Sequence, residues 1–296
     1  MRAKRRFSPT PYLFLLPAFG VMTLVVFYPM IYNIVNSTFS GRVFDQAPRF
    51  IGLGHYANLV SDPEFFDSLR LTFVWTVGVT ALQYALGLIT ALLLNQVVVS
   101  VRFARSMYIL PWIVPGVVAA VIFRFMYNYD AGLVNMTLRQ FGLNGLTRAW
   151  VANMDTAMGA AIVLGVWKGF PFYMVMLLAG LQTVPQELFD AAHIDGASGL
   201  QTLRYVSLPF LRPVSITSLL LGVIWTANYF DGIYLLTGGG PAQVTTTLPI
   251  YIYKTAFSTM DLNRASAASV LLLVAVVLLA TLYLAISRRR ELTHDR

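Results

Sequence analysis

Residues 11–32 read PYLFLLPAFGVMTLVVFYPMIY, an uncharged stretch that follows Arg2, Lys4, Arg5 and Arg6. A helix needs roughly 20 apolar residues, at 1.5 Å each, to cross a hydrocarbon core about 30 Å thick. No small-residue cleavage pattern precedes Asn33, so the run reads as a retained membrane span and not as a secretory signal. The basic cluster disfavours transfer of that end across the bilayer, which places residues 1–10 in the cytoplasm as a basic tail.

Comparable apolar runs recur at 71–94, 106–123, 156–180, 214–236 and 265–287. The expected fold is therefore an all-α membrane protein with six transmembrane helices and a transmembrane domain over 11–287. An even number of spans returns the C-terminus to the cytoplasm, where Arg288, Arg289 and Arg290 open the tail 288–296. The segments 33–70 and 127–155 are then external, and the connection 95–105, with Arg102 and Arg105, is internal. Pro17, Pro29, Pro111, Pro115 and Pro171 lie in or beside spans and suggest kinked helices around a cavity.

Composition excludes several other classes. In 296 residues, 57% are apolar, 11% are charged and the mean hydropathy is +0.67, values that do not fit a soluble domain. The net charge of +8 sits at the chain ends and between apolar runs, so it reports topology; no nucleic-acid partner is expected. There is no cysteine, and His55, His193 and His294 are scattered, so no metal site is expected.

The internal segment 181–213, LQTVPQELFDAAHIDGASGLQTLRYVSLPFLRP, carries helix signals. Thr183 with Gln186 suggests a capping box, Pro185 suits a first turn and Gly196 suits the position past a helix end, predicting a helix over about 184–195. Its Leu188, Ala191, Ala192 and Asp195 share one face built of small and apolar groups, with acids beside it. A second short helix near 200–206 is expected to stop at Pro209. A helical pair of this kind suits insertion into a partner's groove.

The stretch Asp190-Ala191-Ala192-His193-Ile194-Asp195-Gly196-Ala197, followed by Leu208-Pro209, resembles the EAA loop of ABC importer permeases, with Asp190 where that family usually carries Glu. Phe230-Asp231-Gly232-Ile233-Tyr234-Leu235-Leu236-Thr237-Gly238-Gly239-Gly240-Pro241 is similar to the carbohydrate-importing branch, which includes the maltose and glycerol-3-phosphate permeases. Trp167-Lys168-Gly169-Phe170-Pro171-Phe172 agrees with the same branch.

The resemblance implies a type I ABC importer permease fold in the inner membrane of a prokaryote. It also implies an ATPase-coupling role for Glu187, Asp190, Ala191, Ala192, Asp195, Gly196 and Ala197. The implied partners are a second, distinct permease subunit, two ATPase subunits, an extracytoplasmic substrate-binding protein and membrane lipid. The implied substrate is a carbohydrate or sugar derivative.

No G-x-x-x-x-G-K-[ST] motif occurs, so no cofactor is expected in this chain and ATP with Mg would be bound by the partner ATPase. Paired carboxylates, a histidine cluster or an activated nucleophile are missing from the spans, so the chain is not expected to be an enzyme and no catalytic residue is assigned. Lys168 and Asp231 are the ionisable residues read within spans. They either pair across the fourth and fifth helices, or Lys168 hydrogen-bonds a substrate oxygen. Gly238 to Pro241 reads as an external turn with flexibility.

Aromatic residues concentrate beside small and polar ones in these two spans, a mixture that suits the apolar faces and hydroxyls of a sugar but also ordinary helix packing. By resemblance to the maltose permease the candidate substrate-binding residues are Lys168, Gly169, Phe172, Gly222, Trp225, Thr226 and Tyr229, with Asn228 adjacent. The competing reading is an ion-coupled secondary transporter of a small polar solute, which would use Lys168 and Asp231 and leave the internal loop unexplained.

Overall fold

The computed structural model describes residues 10–41, 49–96 and 101–292. The expected basic tail at 1–10, apart from Thr10, and the chain from 293 onward lie outside the described residues. Five helical runs are long and apolar enough to cross a membrane: Leu13–Asn36, Pro63–Asn95, Ala157–Leu181, Gly199–Ala227 and Leu262–Ala285. A sixth candidate is a broken pair, Ser106–Ile113 with Gly116–Met126, bent by 98°. Contacts divide the chain into two compact units, residues 1–63 with 252–274 and residues 64–251 with 275–296.

In the smaller unit, α1 (Thr10–Met22) continues through a π-helical turn at Thr23–Phe27 into α2 (Tyr28–Asn36). None of the apolar window of this run is buried. The expected loop after it is structured: β1 (Phe39–Ser40) pairs antiparallel with β2 (Arg49–Phe50), setting Phe39 opposite Phe50. Helix α3 (Gly54–Val60) holds this hairpin, since His55 Nε2 lies 2.9 Å from Phe39 O and Tyr56 OH lies 2.6 Å from Ser37 Oγ. Arg264 pairs with Asp62, and Asn263 Nδ2 donates to Gly41 O at 3.0 Å.

The larger unit holds most of α4 (Pro63–Gln96), then α5 (Val101–Ile113), α6 (Gly116–Met126), α7 (Leu133–Gln140), α8 (Ala157–Leu181), α9 (Gln186–Ile194), α10 (Gly199–Thr202), α11 (Leu208–Ala227) and α12 (Asp231–Thr237). Helices α13 (Leu248–Phe257) and α14 (Leu262–Leu292) complete the chain and straddle the two units. At its centre is α8, packed against α5, α6, α11 and α12.

Glycines let the neighbours of α8 come close. A methyl at Gly165 would meet Trp75 Cη2 at 2.7 Å, one at Gly169 would meet Gln83 Nε2 at 2.0 Å, and one at Gly222 of α11 would meet Tyr173 OH at 1.6 Å. Where both lipid and protein are apolar, small residues of this kind hold helices together by close packing. Between α6 and α8, Asn135 of α7 is fully buried. Its Nδ2 donates to Tyr129 O and Arg148 O at 3.1 and 2.9 Å, and its Oδ1 accepts from Trp150 Nε1 at 2.8 Å.

Three expectations are corrected. First, residues 214–236 are not one continuous helix, because α11 ends at Ala227 and α12 begins at Asp231. The Asn228 side chain donates to Ile224 O at 2.8 Å, taking the carbonyl that the next helical turn would use. Second, Pro209 does not stop a short helix. Gly199–Ala227 is one helical run in which a π turn at Leu203–Ser207, just before Pro209, leads into α11. Third, the glycine run after α12 is held by its threonines. Thr245 Oγ1 donates to Gly240 O and Thr246 Oγ1 to Gly239 O, both at 2.9 Å, and Thr237 Oγ1 lies 2.7 Å from Thr245 Oγ1.

Candidate functional site

Two assemblies within the larger unit carry the chemistry. One is a cavity of about 160 Å³ enclosed by α4, α5, α8, α11 and the segment that follows α11. Its lining includes Lys168, Gly169, Phe172, Gly222, Trp225, Thr226 and Tyr229, so seven of the eight residues proposed from resemblance meet around one space. Asn228 does not line it, since its side chain turns back onto α11. Asn228→Ala is accordingly expected to leave the half-saturating substrate concentration within about 2-fold in an uptake assay, as for a residue without a ligand contact.

The remaining lining residues are Trp75, Val79, Gln83, Trp112 and Gly165. Trp75, Val79 and Gln83 recur every four positions on α4 and therefore share one face. Trp75 is buried and donates its indole N–H to Thr226 O at 2.9 Å, while its ring stacks on Tyr229 at 5.9 Å between centroids and 12° between planes. Gln83 Nε2 donates to Gly165 O at 2.8 Å. These bonds fix α4 against α8 and the end of α11.

Trp225 and Trp112 are large lining residues that stand out from the core, at 53% and 49% exposure. Trp225 meets Phe172 edge to face at 5.0 Å, and Phe172 lies 6.3 Å from Trp112. Aromatic walls, one primary amide and a hydroxyl-bearing turn suit a ligand with apolar faces and many hydroxyl groups. Lys168 is the cation of the lining, and it is not ion-paired with Asp231: its ammonium donates to Val114 O at 2.6 Å. Among the described residues no group of three or more His, Asp or Glu is placed to hold a metal ion.

The second assembly is α9 and its exit. None of α9 is buried, and Glu187, Asp190, Ala191, Asp195 and Gly196 are exposed, with Ala192 and Ala197 half-buried. The expected Thr183–Gln186 capping box is not formed. Pro185 is the N-cap without a side-chain bond, and Thr183 Oγ1 donates to Gly180 O. The box is instead made by Ser198 and Gln201 at the start of α10. Gly196 has φ +73°, and the helix closes with Gly196 N donating to His193 O at 3.1 Å and Ala197 N to Ala192 O at 2.9 Å. This left-handed closure satisfies the last carbonyls of α9 and favours glycine at its turning point. Phe189, His193 and Ala197 face a cleft toward the ends of α4 and α8, leaving Leu188, Asp190, Ala191 and Ile194 outward.

A multi-pass helical membrane protein with an aromatic cavity and an unburied helix after its fourth span belongs to the class of transport permeases. Residues 83–291 match the family of binding-protein-dependent transport system inner membrane components, and the chain belongs to that family. It is 34% identical to the trehalose/maltose transport system permease protein MalF of Thermococcus litoralis, over 98% of this chain and 97% of that one. It is 32% identical to the sulfoquinovosyl glycerol transport system permease protein SmoG of Agrobacterium fabrum, over 94% and 90%. The fold matches that of a bacterial ABC transporter involved in the import of the acidic polysaccharide alginate, with a TM-score of 0.82 and 21% identity over 95% of each chain. The expected permease family and inner-membrane location hold, and the ion-coupled secondary transporter is not favoured.

Proposed function

We propose that this chain is the permease subunit of an ABC importer for a carbohydrate or sugar derivative, forming half of the translocation pathway and working with a second, distinct permease. The carrying observation is the cavity, in which Trp75, Trp112, Phe172, Trp225 and Tyr229 surround Gln83, Thr226 and Lys168. At about 160 Å³ it is smaller than the several hundred Å³ usual for a complete ligand site, as suits one wall of a pocket shared by two subunits. Relatives named for trehalose/maltose and sulfoquinovosyl glycerol transport support a sugar-like substrate.

In this reading both termini lie in the cytoplasm, α9 with Glu187, Asp190, Ala191, Ala192, Asp195, Gly196 and Ala197 docks on an ATPase subunit, and an extracytoplasmic binding protein delivers substrate at the opposite face. The chain performs no covalent chemistry; ATP and Mg belong to the pair of ATPases. ATPase closure tilts α9 and the spans joined to it, exposing the cavity alternately to each side.

Purification in mild detergent from cells expressing the whole operon tests this. The expected result is a complex with a second permease and an ATPase whose hydrolysis rises with loaded binding protein. Transport by this chain reconstituted alone would overturn it.

A further inference from the structure

Two helix breaks meet at one place beside the cavity. The first separates α5 from α6 at Val114 and Pro115 with a bend of 98°. The second separates α11 from α12 over Asn228–Phe230. A methyl placed on Gly116, the first residue of α6, would lie 3.3 Å from Tyr229 OH, 3.7 Å from Lys168 Cε and 3.8 Å from Asp231 Cβ. The two corners and the lysine of α8 are thus in van der Waals proximity.

A sharp bend in an apolar setting leaves the last carbonyls of one helix and the first N–H groups of the next without helical partners. Val114 O, at the end of α5, receives the Lys168 ammonium at 2.6 Å. This puts a positive charge at the negative end of α5. At the start of α6, the positive end, stand the Tyr229 hydroxyl and Asp231, the first residue of α12. Tyr229 is held in turn by its stack on Trp75, and Gly232 gives its hydroxyl room, since a methyl there would meet it at 2.4 Å.

We propose that Lys168 is a positioning residue: by donating to Val114 O it fixes the α5–α6 corner, and the close seat of Tyr229 on Gly116 couples that corner to the α11–α12 break, so that both walls of the cavity move together. Lys168 then shapes the cavity through Trp112, two residues before the bend, and its ammonium is held by the backbone and not by the substrate. The consequence for transport rests on the permease reading, whereas the geometry of the corner does not.

The chain has no cysteine, so a pair of spin labels can be placed without background. Met107 on α5 and Val121 on α6 are exposed and flank the bend. With labels at M107C and V121C in the purified full-length chain, a single narrow distance distribution is expected for the parent and for Lys168→Arg, which keeps a donor. A broadened or shifted one is expected for Lys168→Met. Gly116→Leu, whose side chain exceeds the space left by Tyr229, Lys168 and Asp231, is expected to shift the same distance and serves if Lys168→Met is not recovered.

A parent-like distribution in Lys168→Met, or in Gly116→Leu, would overturn the proposal. So would Lys168→Met that raises the half-saturating substrate concentration at an unchanged distance, because Lys168 would then act on the ligand. These distances are read without transport, so failure of the corner and failure of the permease reading are separate outcomes.

Discussion

Valine in place of Gly196 is expected to lower uptake at least about 10-fold, while the chain is recovered from the membrane in unmutated amount. Gly196 turns the chain out of α9 with φ +73° and sets the bonds from Gly196 N and Ala197 N that close the helix. A residue with Cβ held in this region costs roughly 1–2 kcal/mol, and a β-branched one more. Nothing lies within 4 Å of the added Cβ, so the penalty acts on the backbone path and not through a clash with the core. Relief of the strain re-aims α9, the surface proposed to receive the ATPase stroke. Gly196→Asn, which tolerates the left-handed region, is expected to keep most of the activity. Uptake by Gly196→Val vesicles at the parent rate would remove α9 from the coupling path.

The second large effect is expected at Trp225→Ala, with half-saturation for the transported sugar rising about 10-fold and basal ATP hydrolysis by the assembled complex unchanged. Trp225 supports little of the core, being 53% exposed, yet it sets an edge against Phe172 at 5.0 Å and borders the cavity. Loss of one stacking partner is worth about 1.4 kcal/mol, a factor of ten in affinity. Uptake titrations alongside phosphate-release assays separate the two readouts. An unaltered half-saturation would place the substrate elsewhere.

Much of this architecture was legible because membrane spans announce themselves by unbroken apolar length, and the helix-ending role of Gly196 by local chemistry. The breaks were not. Hydropathy averaged over 214–236 is blind to one asparagine folding its amide onto Ile224 O, so two helices read as one. Pro115 signalled a kink, but not the bend of 98° or the lysine from a helix some fifty residues on that donates to the carbonyl at its corner.

The lining residues on α8 and around the end of α11 came from motif resemblance, which is strong only in the second half of the chain. Those on α4 were missed, although Trp75, Val79 and Gln83 at four-residue spacing placed an indole and an amide on one face of an otherwise apolar run. That pattern was the available signal. The capping box was misplaced by fifteen residues because Thr183 and Ser198 both stand three positions before a glutamine, and only the backbone decides which pair closes.

The close seats around α8 also limit which motions are open to the molecule. Sliding α11 along α8 by one turn would bring Ser218 or Thr226 to the Tyr173 hydroxyl, where Gly222 leaves room. Sliding α8 along α4 would carry the Gln83 amide off the notch that Gly169 leaves for it. Rings and amides lodged in these notches behave as pivots, so shear between the helices is blocked and rocking about the notches is left as the available stroke.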